Sequence, residues 1–340
     1  MRFGVFVPQG WRLDLTHVPA GHAQWRAMVD VAQRAERHGY DGVWLYDHFH
    51  TVPEARKEAT FEAWTALTGL AALTSRIRLG HMCGCSMYRP PALVAKIAAN
   101  VDVISNGRLE FGYGAGWYMH ETVAYGYPFP SAADRIKSLE EALTIVRGLW
   151  QGGPFQFEGK YHAVGKGQVR DYRGAPTELA GALNYPVPVQ KPHPPIWVAG
   201  GGEQLTLKVV ARHANYANYF GDMDGLNRKH ELLDRYCEAI GRDPAEIVRT
   251  ANLNVMVGDE AEVDRILLAT GRSAADVSEW KKGAYIGTPE HLAERVARLR
   301  DHARIGYFLL YFPDAAGGES LERFAAEVLP LLGAARAPVR

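Results

Sequence analysis

The sequence predicts an α/β protein of the (β/α)8 TIM barrel class, and three observations favour this architecture. Eight short apolar runs alternate along the chain with segments whose apolar residues recur at helical spacing. Strands that alternate with helices form parallel sheets. A chain of 340 residues, 47% of them hydrophobic, can build one large core. We therefore predict a single domain over residues 1–340. A doubly wound open sheet is the alternative, and the count of eight strands favours the barrel.

The predicted strands are short runs of apolar residues that end near a proline, a glycine or a polar residue. The first ends at Pro8, and the second is rich in Val, Trp and Tyr and ends at Asp47. In chain order, the eight runs cover residues 3–8, 41–47, 77–85, 109–116, 195–199, 214–220, 247–257 and 307–312.

The predicted helices lie between these strands, and most show one apolar face. In the first, apolar residues recur from Trp25 to Ala35, and in the third, Pro91 stands near the start, where its missing N–H costs little. Ser131 and Thr288 are placed to cap two later helices. The third helix covers residues 91–104, and the other helices are predicted at residues 61–75, 204–213 and 222–240. The last helix carries Leu321, Phe324, Val328 and Leu331.

Residues 152–195 depart from this rhythm. The segment holds seven of the 19 prolines and shows little periodicity. We interpret it as an insertion between the fourth and fifth strands that lies over the barrel mouth.

Charge and composition exclude several classes of function. The chain carries 38 basic and 38 acidic residues without a basic block, which argues against nucleic-acid and membrane partners. No apolar run approaches the length of a membrane span, and the first residues enter a strand without a signal-peptide core. Three cysteines cannot form a disulfide framework. We therefore expect a cytoplasmic protein that acts on a small molecule.

Active sites of such barrels lie at the C-terminal ends of the strands, and the second strand ends in Asp47 and His48. A histidine there can move a proton near neutral pH, so we predict a catalytic role for both residues. The alternative is that the pair only caps the strand end. His48 and His50 could also bind a metal, but few other strand ends offer a ligand, and we predict no metal site.

Three further strand ends carry small or aromatic residues that suit a flat ligand. Met82, Cys83 and Gly84 end the third strand, where Cys83 and Cys85 are predicted to be core thiols rather than soft-metal ligands. The triple glycine at 200–202 precedes a helix and offers free N–H groups to a phosphate; a plain tight turn is the alternative. The residues at the end of the fourth strand are Gly114, Ala115, Gly116, Trp117, Tyr118, His120 and Glu121.

Together these pieces resemble the bacterial luciferase-like flavin- and deazaflavin-dependent oxidoreductases, over nearly the whole chain. The stretch from Tyr88 to Ala92 and the Gly-Ala-Gly-Trp run ending at Trp117 are most similar to the branch described as probable coenzyme F420-dependent. The matching stretches are residues 1–10, 35–44 with Asp47 and His48, 74–80, 88–92 with Lys96, 109–117, 125–129 and 194–202.

This resemblance implies a cofactor ring in the barrel mouth and a cis peptide bond within residues 82–84. It implies that His48 donates or accepts a proton, with Asp47 holding its tautomer. The cofactor-binding residues are then Met82, Cys83, Gly84, Gly114, Ala115, Gly116, His120, Gly200, Gly201 and Gly202, and the substrate pocket contains Trp11, Trp117 and Tyr118.

The cofactor predicted from the resemblance is coenzyme F420, with FMN as the alternative. The reaction would then be hydride transfer to or from a C=C, C=N or C=O bond, or from the corresponding alcohol. The alternative function is that of an FMNH2-dependent two-component monooxygenase. Trp117 stands where the sugar-phosphate branch carries its catalytic glutamate, so sugar phosphates are not expected as substrates. A separate cofactor reductase and a homodimer are implied. A metal-dependent barrel hydrolase and a non-catalytic flavin-binding protein are the remaining alternatives.

Overall fold

A computed structural model describes residues 1–333 as a closed eight-stranded parallel barrel, which confirms the predicted fold class. Each strand pairs in parallel with the next along the chain, and the eighth pairs with the first. The closure brings all eight C-terminal strand ends to one mouth. The barrel strands are Arg2–Phe6, Gly42–Leu45, Arg78–His81, Leu109–Gly114, Ile196–Ala199, Tyr216–Asn218, Val248–Val257 and Ile305–Tyr311.

Helices surround the barrel, and the structure confirms several predicted ends. The third helix runs over Pro91–Ile104, as predicted, and the Ser131 side chain accepts a hydrogen bond from the N–H of Asp134. Within residues 1–333, no helix has both the length and the apolar character that a membrane span needs. The helices are α1 (His22–Arg37), α2 (Ala63–Leu73), α3 (Pro91–Ile104), α4 (Met119–Ala124), α5 (Ala132–Leu149), α6 (Thr206–His213), α7 (Met223–Glu238), α8 (Glu260–Ala269), α9 (Ala274–Lys281), α10 (Pro289–His302) and α11 (Ser320–Arg323).

The sequence analysis did not identify α4, α8 and α9. Asp259 and Ser273 cap α8 and α9 with their side chains, so a capping signal was present in the sequence. The last predicted helix is shorter than expected. After α11 the chain forms a π turn over Phe324–Val328 and a short 3-10 turn that begins at Pro330, whose missing N–H cannot continue a helix.

The barrel interior is filled by large aromatic side chains, among them Trp44, Trp197 and Tyr307. Trp44 is fully buried and lies against Gly4 and Gly80 of the two neighbouring strands and Gly42 of its own strand. A Cβ atom added at Gly4 would lie 2.3 Å from the Trp44 indole nitrogen, and one at Gly80 would lie 2.4 Å from the Trp44 ring. An added Cβ at Gly42 would lie 2.8 Å from the Tyr307 hydroxyl. The barrel therefore closes around the indole, and the space above it forms the mouth.

Residues 152–195 do not cover the mouth, contrary to expectation. The segment forms two small hairpins, and Glu141 of α5 accepts hydrogen bonds from the N–H groups of Lys160, Tyr161 and His162. Further along, Gln190 donates to Asp102 of α3. None of its residues lines the cavity described below. The segment therefore packs along the outside of the barrel, and its predicted part in the substrate pocket is wrong.

Candidate active site

His48 and Glu121 form a hydrogen-bonded pair at the mouth. His48 follows the second strand, and Glu121 lies on α4, after the fourth strand. The distance from His48 Nδ1 to Glu121 Oε1 is 2.5 Å. Within residues 1–333, His48 Nε2 has no protein hydrogen-bond partner, and His48 lines the central cavity. The pairing leaves Nε2 as the ring nitrogen available to a ligand.

The Glu121 carboxylate is buried and accepts four hydrogen bonds. Besides His48, the Tyr88 hydroxyl donates to it over 2.5 Å, and the backbone N–H groups of Phe49 and His50 donate over 2.7 and 2.9 Å. Burial alone would raise the pKa of Glu121, but the hydrogen bond and positive charge of His48 and the hydrogen bonds of Tyr88 and the backbone outweigh it and lower that pKa. The carboxylate is therefore charged at neutral pH and favours a proton on His48 Nδ1.

Asp47 does not hold the His48 tautomer, so that prediction is wrong. Its carboxylate accepts two hydrogen bonds from the Arg89 guanidinium, at 2.7 and 2.9 Å, and one from the N–H of Cys85 at 2.8 Å. Although Asp47 and His48 are adjacent in sequence, their side chains therefore reach different partners. Asp47 instead ties the end of the second strand to the backbone after the third.

A cavity of about 600 Å³ opens beside His48, within the range of small-molecule and cofactor sites. It holds most of the predicted site residues, whereas Gly84, His120 and Gly201 do not line it. His120 instead faces His50, with 3.4 Å between their Nδ1 atoms. The predicted residues that line the cavity are Trp11, Asp47, His48, Met82, Cys83, Gly114, Ala115, Gly116, Trp117, Tyr118, Gly200 and Gly202.

The cavity wall is flat where the third and fourth strands end. The Met82–Cys83 peptide bond is cis, at the place that the family resemblance implied. A Cβ atom at Gly114 would lie 2.5 Å from Cys83 Sγ, so only glycine leaves this wall open. Burial and the charge of Asp47 raise the pKa of the Cys83 thiol to about 12. The thiol is therefore protonated at neutral pH, which disfavours metal binding or redox exchange by this cysteine.

The glycine turn after the fifth strand can hold an anion. Gly200 has a φ of 124°, which a residue with a side chain adopts only under strain. Within residues 1–333, the N–H groups of Gly201, Gly202 and Glu203 donate no hydrogen bond. They lie in the turn that leads into α6, and free N–H groups near a helix start suit a phosphate. The residues present therefore fit a flat, phosphate-bearing cofactor, with its ring against Gly114 and its phosphate at this turn.

Metal ligands do not gather at the mouth. In the part of the chain that the structure describes, no group of three His, Cys, Asp or Glu side chains could hold a metal ion. The imidazoles of His50 and His120 come together at the exposed rim, without a third ligand.

Several cavity residues were missed from the sequence. Asn218 is the last residue of the sixth strand, and Asn252 lies within the seventh. The same reasoning from strand ends would have found Asn218. Asn218 Nδ2 donates to Asn252 Oδ1 over 2.9 Å. Arg135 lies in the first turn of α5, after the loop that follows α4. Its position in the sequence gives no signal that it lines the cavity. Glu121 was noted after the fourth strand but was not predicted as a site residue, because its pairing with His48 depends on the positions of two strands.

The fold and this site define a (β/α)8 barrel that binds a planar ligand at the C-terminal ends of its strands. Residues 1–276 match the family model described as luciferase-like monooxygenase. The chain belongs to this family, as the sequence resemblance indicated.

Two curated relatives and one solved structure illustrate the range of the family. The chain is 26% identical over 345 residues to the F420-dependent glucose-6-phosphate dehydrogenase of Intrasporangium calvum, which covers 90% of this chain and 94% of the relative. It is 28% identical over 277 residues to pyrimidine monooxygenase RutA of Acinetobacter baylyi, covering 78% and 68%. An F420-dependent secondary alcohol dehydrogenase in complex with an F420-acetone adduct superposes with a TM-score of 0.77 at 20% identity, over 97% of this chain and 98% of that one. The relatives support an oxidoreductase, and the solved structure supports the fold.

Proposed function

We propose that the protein is an oxidoreductase that uses the deazaflavin coenzyme F420 to transfer hydride to or from a small organic substrate. The reacting bond is a C=C, C=N or C=O bond, or the corresponding alcohol. The observation that carries the proposal is the His48–Glu121 pair beside a cavity with a glycine wall. The F420-dependent dehydrogenase among the relatives supports the choice of coenzyme.

The residues of the site have separable tasks. When bound, the deazaflavin supplies or accepts the hydride. His48 gives a proton to the substrate, or takes one, through Nε2, and Glu121 keeps the other ring nitrogen protonated. Trp11 stacks on the His48 ring with 4.2 Å between centroids, and Trp117 meets it edge-on at 5.8 Å. These indoles hold the imidazole in place and exclude water from it.

Sugar phosphates are not proposed as substrates, despite the similarity to a glucose-6-phosphate dehydrogenase. Trp117 occupies the position of that branch's catalytic glutamate, and its side chain is 62% exposed at the mouth. An indole there offers an apolar contact and no acid or base.

An FMNH2-dependent monooxygenase is the second candidate, favoured by the pyrimidine monooxygenase among the relatives. This reaction would require a separate flavin reductase as partner. The homodimer implied by the family resemblance stays a prediction.

A titration of the purified protein with F420 and with FMN, followed by fluorescence, tests the choice of coenzyme. We expect micromolar or tighter binding of F420 and much weaker binding of FMN. The opposite preference would favour the monooxygenase, and binding of neither would contradict both proposals.

Replacement of His48 by Ala tests the proton transfer. We expect turnover to fall about 10²–10⁴-fold, because a general acid or base contributes that much. The dissociation constant of the cofactor should stay near that of the unaltered protein. Unchanged turnover would refute the role of His48.

A further inference from the structure

A second, larger cavity of about 1040 Å³ opens at the mouth beside the first. Trp117 and Tyr118 line both cavities. The second is bounded by the ends of the seventh and eighth strands, through Asn254 and Tyr311, and by the loop between α8 and α9. A molecule that lies along Trp117 and Tyr118 could therefore reach both cavities.

Two half-buried arginines meet around Tyr311 in this second cavity. The Arg12 guanidinium lies 3.9 Å from the centre of the Tyr311 ring, and Arg272 donates to the Tyr311 hydroxyl over 3.3 Å. Arg12 also donates to Asn254 Oδ1 over 3.2 Å. Within residues 1–333, neither guanidinium forms a salt bridge with a carboxylate.

The carboxylates near these arginines do not neutralise them fully. Asp14 accepts a hydrogen bond from the Tyr311 hydroxyl over 3.4 Å, and it is one buried carboxylate beside two guanidiniums. Glu58, Asp276 and Glu279 lie on the exposed rim, where solvent screens their charge. The inner part of the cavity therefore stays positive.

The arginine site is close to the catalytic pair along the chain. Trp11 stacks on His48, and the next residue is Arg12. A substrate held by Arg12 at one end can thus extend past Trp117 to His48 at the other. Two guanidiniums around one hydroxyphenyl ring suit a planar carboxylate, which accepts two hydrogen bonds from an arginine fork.

We propose that Arg12 and Arg272 bind the carboxylate of an organic acid whose apolar body lies on Trp117 and Tyr118 and whose reactive group reaches His48. This inference rests on the proposed function for the reaction itself. It names the substrate class, a small carboxylic acid with an apolar or aromatic body.

The test compares 2-naphthoate with 2-naphthamide, which share shape and differ in charge. Calorimetric titrations use the cofactor-free protein and the protein loaded with whichever of F420 or FMN binds it. We expect naphthoate to bind at least about tenfold more tightly than naphthamide, since hydrogen bonds to charged groups are the stronger ones. In Arg272→Gln and in Arg12→Gln the preference should fall to about twofold or less. Arg300→Gln, on the exposed surface of α10, is the matched control and should retain it.

The outcomes separate this inference from the proposed function. Equal binding of naphthoate and naphthamide would overturn the carboxylate site, and so would a preference for naphthoate that survives both arginine substitutions. Cofactor binding would in either case still support the oxidoreductase. A preference seen in protein that binds neither cofactor would support the site and contradict the proposed function. The acidic tail of F420 is another source of carboxylates. If naphthoate binds the cofactor-free protein and F420 loading abolishes that binding, the tail occupies the arginines and the substrate site is refuted.

Discussion

Glu121→Gln tests the central feature of the site with a change of one atom. The carboxylate accepts hydrogen bonds from the N–H groups of Phe49 and His50 at one oxygen and from Tyr88 and His48 at the other. The amide keeps one oxygen, which can still serve the two backbone donors. Its NH2 group then faces Tyr88 and His48, where an acceptor is needed.

His48 can keep a hydrogen bond to residue 121 only if its imidazole changes tautomer. With the NH2 group opposite, Nδ1 must become the acceptor, and the proton moves to Nε2, the nitrogen that faces the cavity. The site then loses its base and the negative charge that stabilises the imidazolium. We expect turnover to fall by about 10²–10⁴, as for loss of general acid–base catalysis. Loss of two charge-assisted hydrogen bonds to a buried group should lower the free energy of unfolding by about 2–4 kcal/mol.

The assay combines a spectroscopic reading with a kinetic one. Nitrogen-15 NMR of histidine-labelled protein reports which ring nitrogen carries the proton, and single-turnover kinetics report the reaction. Glu294→Gln, an exposed substitution on α10, is the matched control. If Glu121→Gln leaves the His48 tautomer and the turnover within about twofold of that control, the role assigned to the pair is refuted.

Two further predictions concern stability. Arg89→Met leaves the Asp47 carboxylate, which is fully buried, without its guanidinium, and should lower the free energy of unfolding by about 3–5 kcal/mol in denaturant titrations; a loss below about 1 kcal/mol would contradict this. His230 is fully buried, and burial together with the charges of Arg249 and Arg304 lowers its pKa to about 4. The unfolded chain therefore binds a proton that the folded protein rejects between about pH 6.5 and pH 4, and stability should fall by up to about 3 kcal/mol across that range as the pH falls. His230→Leu should flatten this part of the stability–pH curve, and equal slopes in the two proteins would show that His230 does not cause it.

The sequence predicted the barrel and about half of the residues that line the cavity, for a physical reason. In a parallel barrel the C-terminal strand ends converge, so residues such as His48, Gly114 and Gly200 come together once the strands are placed. Local patterns suffice for this step, and capping by Ser131 and the start of the helix at Pro91 were predicted in the same way.

Partners across the mouth could not be predicted in this way. Glu121 reaches His48 from a short helix with no strong periodicity, and the distance between them depends on the packing of two strands. Asp47 was paired with His48 because they are adjacent in sequence, whereas in the structure Asp47 pairs with Arg89 and His48 with Glu121. For residues 152–195, composition indicated an irregular segment, but its position depends on contacts distant in sequence, such as those with Glu141 of α5 and Asp102 of α3.

The Trp44 indole restricts which residues can replace the three glycines that it contacts, Gly4, Gly42 and Gly80. Alanine at Gly4 or Gly80 has no room while Trp44 is present, and a smaller residue at 44 would leave a void while those glycines remain. A single substitution at Trp44 or at one of these glycines therefore destabilises the protein, whichever comes first. A stable variant requires two or more of these substitutions at once. Exposed residues of the mouth such as Trp117 carry no such constraint. The protein can thus change its substrate contacts at these exposed positions, one residue at a time, over a base that resists gradual change.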